Sequence, residues 1–225
     1  MALFTISDLH LSLGADKPMD KFYGWEHYVD RIYANWQRVV GAQDTVVLPG
    51  DFSWGLKLEE TLPDFQFLEK LNGRKILLKG NHDLWWNTRK KMEAFFAANG
   101  IESVSLVHNS VCEAEGVCIC GTRGWFFDDT ASRKVLRREA LRLELSLQLA
   151  RQSGKPPVVF LHYPPVYADQ VCEELVSVLK AYGVQTVYHG HIHGAGRNRA
   201  TAQWEGIRFR LVSCDCIDFT PYRIL

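Results

Sequence analysis

The sequence predicts an α/β fold in which two packed β-sheets lie between outer helices. Short apolar runs alternate with longer amphipathic stretches along the 225 residues, a pattern typical of parallel strands joined by helices. Other apolar runs are separated only by short turns, which indicates antiparallel hairpins. The chain has no internal repeat or linker, so we expect one domain over residues 1–225.

The first half of the chain contains three predicted strands that alternate with three predicted helices. The strands are Leu3–Ile6, Thr45–Leu48 and Lys75–Leu78. The helices are Trp25–Val40, Leu58–Leu71 and Thr88–Ala98. Pro63 lies in the first turns of the second helix or splits it. Asn99-Gly100 is a typical helix stop.

The second half adds hairpins to the same alternation. Successive strands are predicted at Ser103–His108, Ser110–Glu113 and Val117–Cys120, with a turn at Glu115-Gly116. A long helix follows at Ser132–Arg151, capped by Ser132 and stopped by Gly154. The last predicted elements are the strand Val158–Leu161, the helix Ala168–Ala181, the strand Thr186–Tyr188, and a hairpin of Ala200–Trp204 with Ile207–Val212.

The charge balance and the apolar pattern disfavour two kinds of partner. Lys and Arg number 26, as do Asp and Glu, so the formal net charge is zero. Proteins that hold long nucleic acid through its phosphates usually carry a basic surplus, so we do not expect that partner. The N-terminal residues do not resemble a signal peptide, and no run approaches roughly 18 apolar residues. We therefore expect a cytoplasmic protein without membrane association, and leave its oligomeric state open.

Two pairs of cysteines, Cys118 with Cys120 and Cys214 with Cys216, lie in apolar runs that predict strands. Alternate residues of a strand face the same way, so two such pairs would suffice for a four-thiolate zinc site. The spacing differs from the usual zinc knuckle, and free cysteine behaves as a small core residue. We expect buried, reduced thiols, with a metal or a disulfide as the alternatives.

Five of the predicted strands run into Asp, Asn or His, residue types that are common metal ligands. In chain order these residues are Asp8 and His10; Asp51; Asn81, His82 and Asp83; His162; and His189, His191 and His193. Six of the eight histidines lie in these segments. In open α/β sheets the ligand crevice lies beyond the carboxyl ends of the strands. We therefore expect the five segments to meet in one cleft.

The spacing within these segments suits residues that share an ion. Residues two apart on an extended chain face the same way, so Asp8 and His10 can reach one ion, as can His191 and His193. In three segments a glycine stands where a side chain would obstruct a sharp turn or a close approach. These glycines are Gly50, Gly80 and Gly190. A single histidine near a strand end is more often structural, but five such segments together favour a metal site.

The ordered series Asp-x-His, Gly-Asp, Gly-Asn-His-Asp, His and Gly-His-x-His resembles the motifs of the calcineurin-like metallophosphoesterases. It runs from Asp8 to His193, over most of the chain. The resemblance implies a four-layer αββα sandwich, with helices flanking two mixed β-sheets. It also implies a metal-dependent phosphoesterase, which is a hydrolase acting on ester bonds.

The resemblance also implies a role for each residue of the motifs. One metal would be held by Asp8, His10 and His193, and the other by Asn81, His162 and His191. Asp51 would bridge the two ions. His82 would be a catalytic histidine that binds no metal, and Asp83 the acidic residue that can orient its imidazole.

The chain departs from the family pattern in two places. The second motif often continues to another Asp three residues on, where this chain has Trp54. That Asp is not a direct ligand, so its loss leaves the metals in place. The extensions found in protein Ser/Thr phosphatases are also missing, and Lys79 precedes Gly80 where those enzymes have Arg. We therefore do not expect a phosphoprotein phosphatase.

The implied ligands are imidazoles, carboxylates and one amide oxygen, without sulfur. This set suits two divalent ions of Mn, Fe or Zn, and argues against Ca²⁺ or a largely hydrated Mg²⁺. A hydroxide bridging the ions would attack a phosphodiester or phosphomonoester, and His82 would serve the leaving oxygen. Two alternatives are a nuclease that acts on short nucleic acids with the same site, and a non-catalytic scaffold of the same fold. The intact motifs argue against the scaffold.

Few residues point to a particular small phosphate-ester substrate. Arg123, in a glycine-flanked loop, either binds a substrate phosphate or pairs with a carboxylate at the surface. Five aromatic residues beside the motifs either stack on a substrate ring or belong to the core. They are Trp54, Trp85, Trp86, Trp125 and Tyr163. The basic run from Arg133 to Arg142 is interpreted as a solvated helix face, with Glu139 and Glu144 as partners, and His189 as structural or supporting.

Overall fold

The computed structural model describes residues 1–124 and 132–225, and its strands form two large mixed sheets. The strands of the first sheet are β1 (Leu3–Thr5), β2 (Thr45–Leu48), β3 (Arg74–Leu77), β4 (Val104–Leu106) and β13 (Tyr222–Arg223). Their order is β13-β1-β2-β3-β4. The first four are parallel, and β13, which the apolar pattern did not predict, pairs antiparallel with β1.

The second sheet contains six strands. They are β5 (Cys112–Ala114), β6 (Val117–Thr122), β7 (Pro157–Leu161), β10 (Thr186–His189), β11 (Gln203–Trp204) and β12 (Ile207–Leu211). Their order is β11-β12-β10-β7-β6-β5, with a parallel centre and an antiparallel hairpin at each edge. The predicted turn at Glu115-Gly116 joins β5 to β6. The carboxyl ends of the parallel strands therefore meet at a common edge.

In the described residues, five α-helices lie outside the sheets. They are α1 (Tyr28–Val39), α2 (Leu62–Glu69), α3 (Arg89–Asn99), α4 (Arg133–Ser153) and α5 (Glu173–Ala181). Pro63 lies in the first turn of α2, after a 3-10 turn, where its missing N–H has no cost. Within the described segments, no helix has both the length and the apolar character to cross a membrane.

The predicted helix over Ala168–Ala181 was wrong in its first half. Residues 166–171 form a small hairpin of β8 (Val166–Tyr167) and β9 (Gln170–Val171), and only then does α5 begin. Ala168 adopts a left-handed conformation, with φ of 54°, which a helix excludes. Tyr167 also forms a bridge with Ala200, so a distant contact outweighs the local pattern.

Among residues 1–124 and 132–225, three hydrophobic clusters fill the spaces between the four layers. One lies between the first sheet and α1, α2 and α3, and includes the buried Trp36. Another lies between the second sheet and α4 and α5, and includes Leu143. The third lies between the sheets and includes Val47, Ile119 and Phe160. Burying side chains of this size stabilises the fold by about 1.5–3 kcal/mol each. The arrangement of the layers confirms the expected αββα sandwich.

All six cysteines are free thiols. Cys118 and Cys120 are buried in β6, as predicted. Cys214 is also buried but begins a 3-10 turn, Cys214–Ile217, so the predicted strand there was wrong. Among residues 1–124 and 132–225, no cysteine belongs to a cluster able to hold a metal.

The backbone turns sharply where the strands leave the sheets. Asp8, His10, Asp51 and His191 have φ values of 59°, 46°, 52° and 70°. This left-handed region is uncommon for residues other than glycine and tends to occur at functional sites. The loops also approach closely, because a Cβ at Gly80 would lie 2.1 Å from Oδ1 of Asp51. Four residues with left-handed backbone therefore lie at this edge.

Candidate metal centre

Both sheets contribute metal-binding side chains to this edge. The segments after the first three strands bring Asp8, His10, Asp51 and Asn81. The segments after β7 and β10 bring His162, His191 and His193. All seven side chains predicted as ligands therefore lie together, although His10 and His193 are 183 residues apart in sequence.

Asp8, His10 and His193 form the first cluster. Each offers one donor atom, and the three atoms lie within 4.8 Å of one another. Nε2 of His193 is 3.5 Å from Oδ1 of Asp8 and 3.4 Å from Nε2 of His10. Asp8 and His10 are buried, so their donor atoms face one another away from bulk water. These are the three residues expected to hold one metal.

Asn81, His162 and His191 form the second cluster. Oδ1 of Asn81 is 2.6 Å from Nε2 of His162 and 3.0 Å from Nδ1 of His191. Nδ1 of His162 is 3.2 Å from the carbonyl oxygen of Pro49, to which it donates. A neutral imidazole that donates from Nδ1 presents a lone pair at Nε2. In His162 this lone pair faces Oδ1 of Asn81, which is also an acceptor. A cation between His162 and Asn81 would satisfy both atoms.

Asp51 lies between the two clusters. Its Oδ2 is 3.8 Å from Nε2 of His10 and 3.5 Å from Nε2 of His162. Its Oδ1 accepts the backbone N–H of His82 at 2.8 Å, which fixes the carboxylate plane. Asp51 also forms a group with Asp8 and His162 whose donor atoms lie within 4.8 Å. Its carboxylate therefore lies beside a histidine of each cluster.

The charges at this edge favour a cation. Burial and the neighbouring Asp8 and Asp83 carboxylates raise the pKa of Asp51 well above its ordinary value. Burial opposes ionisation of Asp8 too, but hydrogen bonding and the charge of His193 lower its pKa. Two buried carboxylates this close repel each other unless positive charge lies between them. The donors therefore fit a centre of divalent metal ions, of the kind that imidazole and carboxylate ligands hold.

Asp215 supports the first cluster, and sequence reasoning missed it. Its Oδ1 is 2.7 Å from Nδ1 of His193, and its Oδ2 accepts the N–H of Gly194 at 2.8 Å. Although burial opposes it, Asp215 and Asp8 raise the pKa of His193 to about 10. The sequence signal was the predicted strand Ile207–Val212, because β12 runs parallel to β10 and its carboxyl end also leads to this edge.

Asp83 has different hydrogen-bond partners from those expected. Its buried carboxylate accepts the N–H groups of Asp51, Phe52 and Gly80 at 2.9, 2.9 and 2.7 Å. It also accepts the indole N–H of Trp85 at 3.2 Å. Within the described segments it makes no hydrogen bond to the His82 ring. Asp83 ties the loops after β2 and β3 together, and so positions Asp51 without orienting the imidazole of His82.

His82 lies beside the clusters but belongs to neither. Its ring centroid is 5.6 Å from that of His10 and 4.4 Å from that of Trp54. Trp54 in turn stacks on His10, with centroids 4.7 Å apart and planes at 18°. The orientation of His82 thus comes from these rings and from its backbone bond to Asp51.

The other aromatic residues near the motifs divide between core and site. Trp85 is buried and packs edge-on against Phe65, so its role is structural. Trp86 is half-buried beside Trp85, and Tyr163 is buried with its ring 4.0 Å from that of His191. Trp125 lies outside the described residues. His189 is buried and bonded to the Gly190 carbonyl, as a structural residue would be.

Arg123 lines a cavity with three other basic side chains. The basic cavity holds about 600 Å³, including its open mouth, and its charged lining residues are Lys79, Arg123, Arg138 and Arg142. It borders the second cluster, because Lys79 is two residues before Asn81 and the Arg123 carbonyl accepts the N–H of Tyr163, next to His162. Burial lowers the pKa of the Arg123 guanidinium.

The basic run on α4 is therefore only partly a solvated face. Arg133, Lys134 and Arg137 are exposed, as expected, but Arg142 is half-buried against Glu139. Glu139 is fully buried, contrary to its expected place on a solvated face.

Comparisons with known proteins agree with this geometry. A family model described as calcineurin-like phosphoesterase matches residues 1–195. No curated protein matches the chain. Three similar solved structures share 11–16% identity with it, and at that identity they show a common fold alone.

The three solved structures are matched over nearly their whole length. AQ665 from Aquifex aeolicus, a protein of unknown function, has a TM-score of 0.56 at 16% identity, with 99% of this chain and 95% of that chain covered. The phosphopantetheinyl hydrolase of Mycobacterium tuberculosis has a TM-score of 0.52 at 15% identity, with coverage of 100% and 95%. TT1561 from Thermus thermophilus has a TM-score of 0.59 at 11% identity, with coverage of 99% and 97%.

Proposed function

Because this chain belongs to the calcineurin-like phosphoesterase family, it is a hydrolase of phosphoester bonds, and we propose that it uses two divalent metal ions to cleave a small phosphomonoester or phosphodiester. The position of Asp51 carries this proposal. A single carboxylate oxygen lies 3.5–3.8 Å from a histidine of each cluster, where it would bridge two ions. A mononuclear site would need no such residue.

The donor chemistry selects the class of metal. Asp8, His10 and His193 would hold one ion, and Asn81, His162 and His191 the other, with Asp51 shared. These oxygen and imidazole ligands suit Mn, Fe or Zn. When bound, two such ions would supply positive charge for the phosphate and lower the pKa of a water between them.

The remaining residues would act on the ester itself. His82 belongs to neither cluster, and its half-buried ring lies beside His10. There it would be close to the reacting group of a bound ester. Its imidazole would donate a proton to the departing oxygen, or stabilise the charge that forms there. Asp83 and Trp54 act indirectly, because the first fixes the Asp51 loop and the second packs against His82.

A metal-by-substrate screen tests the proposal. Purified protein is assayed with Mn²⁺, Fe²⁺, Zn²⁺ or no metal against an aryl monoester, an aryl diester, cyclic nucleotides and a short oligonucleotide. We expect metal-dependent turnover of at least one ester, lost in Asp51→Asn and retained in Asp30→Asn, which alters an exposed carboxylate on α1. Cleavage of the oligonucleotide alone would favour the nuclease alternative. Absence of turnover with every metal would contradict the proposed function.

A further inference from the structure

The basic cavity is a concentration of positive charge in a chain whose net charge is zero. Lys79 comes from the loop after β3, Arg123 from the end of β6, and Arg138 and Arg142 from α4. Basic side chains from three elements line one cavity, and their like charges favour an anion bound there. Solvated surface charges would more easily point apart.

Within residues 1–124 and 132–225, the buried carboxylate of Glu139 pairs with two of these cations. Glu139 accepts from Arg142 Nη1 at 2.7 Å and lies 3.9 Å from Arg138 Nε. It also accepts the Thr122 hydroxyl at 2.6 Å and the N–H of Gly124 at 3.2 Å. These bonds bury Glu139 beside the cavity lining, and its single charge does not neutralise both Arg138 and Arg142. His108 also lines the cavity, and burial together with Arg142 and Lys79 lowers its pKa.

The cavity also lies next to the metal centre. Lys79 leads directly into Gly80 and Asn81, and Arg123 is joined through its carbonyl to the residue after His162, at 2.9 Å. A molecule whose phosphoester reached the second cluster would therefore extend toward Lys79 and Arg123. A phosphate group fits the cavity and matches guanidinium donors in geometry.

We propose that the basic cavity is a second anion subsite, and that the substrate carries, beside its scissile phosphoester, a further phosphate-like group that binds there. The identity of the bound molecule as a substrate rests on the proposed function, but the anion site itself does not. A carboxylate would present the same charge with a flatter shape, and the experiment separates the two. Such a substrate would be held at both ends, which raises discrimination against simple monoesters.

The first test measures anion binding without catalysis. In the Asp51→Asn background, which disables the bridge between the metals, chelator-treated protein is titrated with inorganic phosphate, sulfate or acetate by calorimetry. We expect phosphate and sulfate to bind and acetate to bind more weakly. Arg142→Gln and the more exposed Arg138→Gln should each weaken phosphate binding about tenfold to a hundredfold. Arg137→Gln, an exposed neighbour on α4, is the matched control and should bind like the parent.

The second test uses the metal-loaded, unmodified chain and its Arg variants. An aryl phosphate is compared with an aryl phosphate that bears a second phosphate. Arg138→Gln should raise KM for the doubly phosphorylated ester at least tenfold more than for the simple ester. Phosphate binding without turnover of either ester would support the anion subsite and contradict the proposed function. Turnover without phosphate binding, or equal binding in all three Arg variants, would overturn the subsite. Acetate binding as tightly as phosphate would overturn its phosphate-like character.

Discussion

Nδ1 of His193 and Oδ1 of Asp215 are 2.7 Å apart, and this bond turns Nε2 of His193 toward Asp8 and His10. Histidine ligands of metals are commonly fixed in this way by an outer carboxylate, which sets the tautomer and strengthens the ligand. Within the described segments, Asp215 makes no hydrogen bond to Asp8 or His10, the other two residues of the first cluster.

Asp215→Asn should lower the affinity of the first cluster for metal about tenfold to a hundredfold. The amide still accepts a hydrogen bond, but it lacks the charge that favours the Nδ1–H tautomer. Competition with a chelator of known affinity measures the effect. Asp218→Asn, an exposed carboxylate on the same segment, should bind metal like the parent. Equal affinities for the two variants would reduce Asp215 to a structural residue.

Asp51→Asn should reduce metal content from about two ions per chain to one or fewer. The amide keeps its acceptor for the N–H of His82 but has no charge to share between two cations. Metal analysis after dialysis gives the number. A variant that retains two ions and full turnover would show that another group bridges them.

His82→Asn should retain both metals while lowering kcat by roughly 10²–10⁴-fold on an ester with an alkoxide leaving group. The loss should be smaller for a nitrophenyl ester, because nitrophenolate departs without a proton. Steady-state kinetics on the two esters, with metal analysis alongside, measure the gradient. His27→Asn, at an exposed histidine, is the control. Equal losses on both esters, or loss of metal, would show that His82 does not act as the acid.

Lys75 gives the protein a pH dependence of stability in alkaline solution. This lysine is fully buried, and its ammonium donates to the Leu71 carbonyl and the Ser103 hydroxyl. Burial lowers its pKa from 10.5 to about 8. Between these values the folded chain has lost the proton and the unfolded chain keeps it, so rising pH stabilises the folded state.

The expected size of this effect is about 3 kcal/mol across the window, an order of magnitude set by the pKa difference. Denaturant unfolding of the parent and of Lys75→Met at pH 7.5 and pH 10.5 provides the comparison. The free energy of unfolding of the parent, relative to that of the variant, should increase as pH rises. Parallel pH profiles would mean that the Lys75 ammonium remains charged in the folded chain.

The ligand positions could be predicted because a parallel sheet places strand ends together, and each end carries its own residue signal. Asp8, Asp51 and His162 each follow an apolar run within three residues, so local pattern sufficed. Asp215 follows such a run too, but its neighbours are cysteines and its partner His193 is 22 residues away. The hydrogen bond from the Ser213 hydroxyl to Asp8 and the parallel bridge between Ser7 and Ser213 show that this segment returns to the metal centre.

The errors have a common physical origin. The hairpin at 166–171 has an apolar pattern that also suits a helix, and its conformation is decided by contact with Ala200. Asp83 stands beside His82 in sequence, yet its carboxylate turns inward to backbone N–H groups of another loop. Sequence proximity indicated the right neighbourhood for Asp83 but not its bonding partners.

The division of the ligand residues between the two sheets also bears on when, during folding, a metal site can form. His10 and His193 are separated by 183 residues, so in the unfolded chain their approach is opposed by the entropy of closing a very long loop. The hydrophobic cluster between the sheets overcomes that entropy, and the donors meet as a result of it. We therefore expect metal uptake to be a late event, which during refolding proceeds no faster than the packing of one sheet on the other.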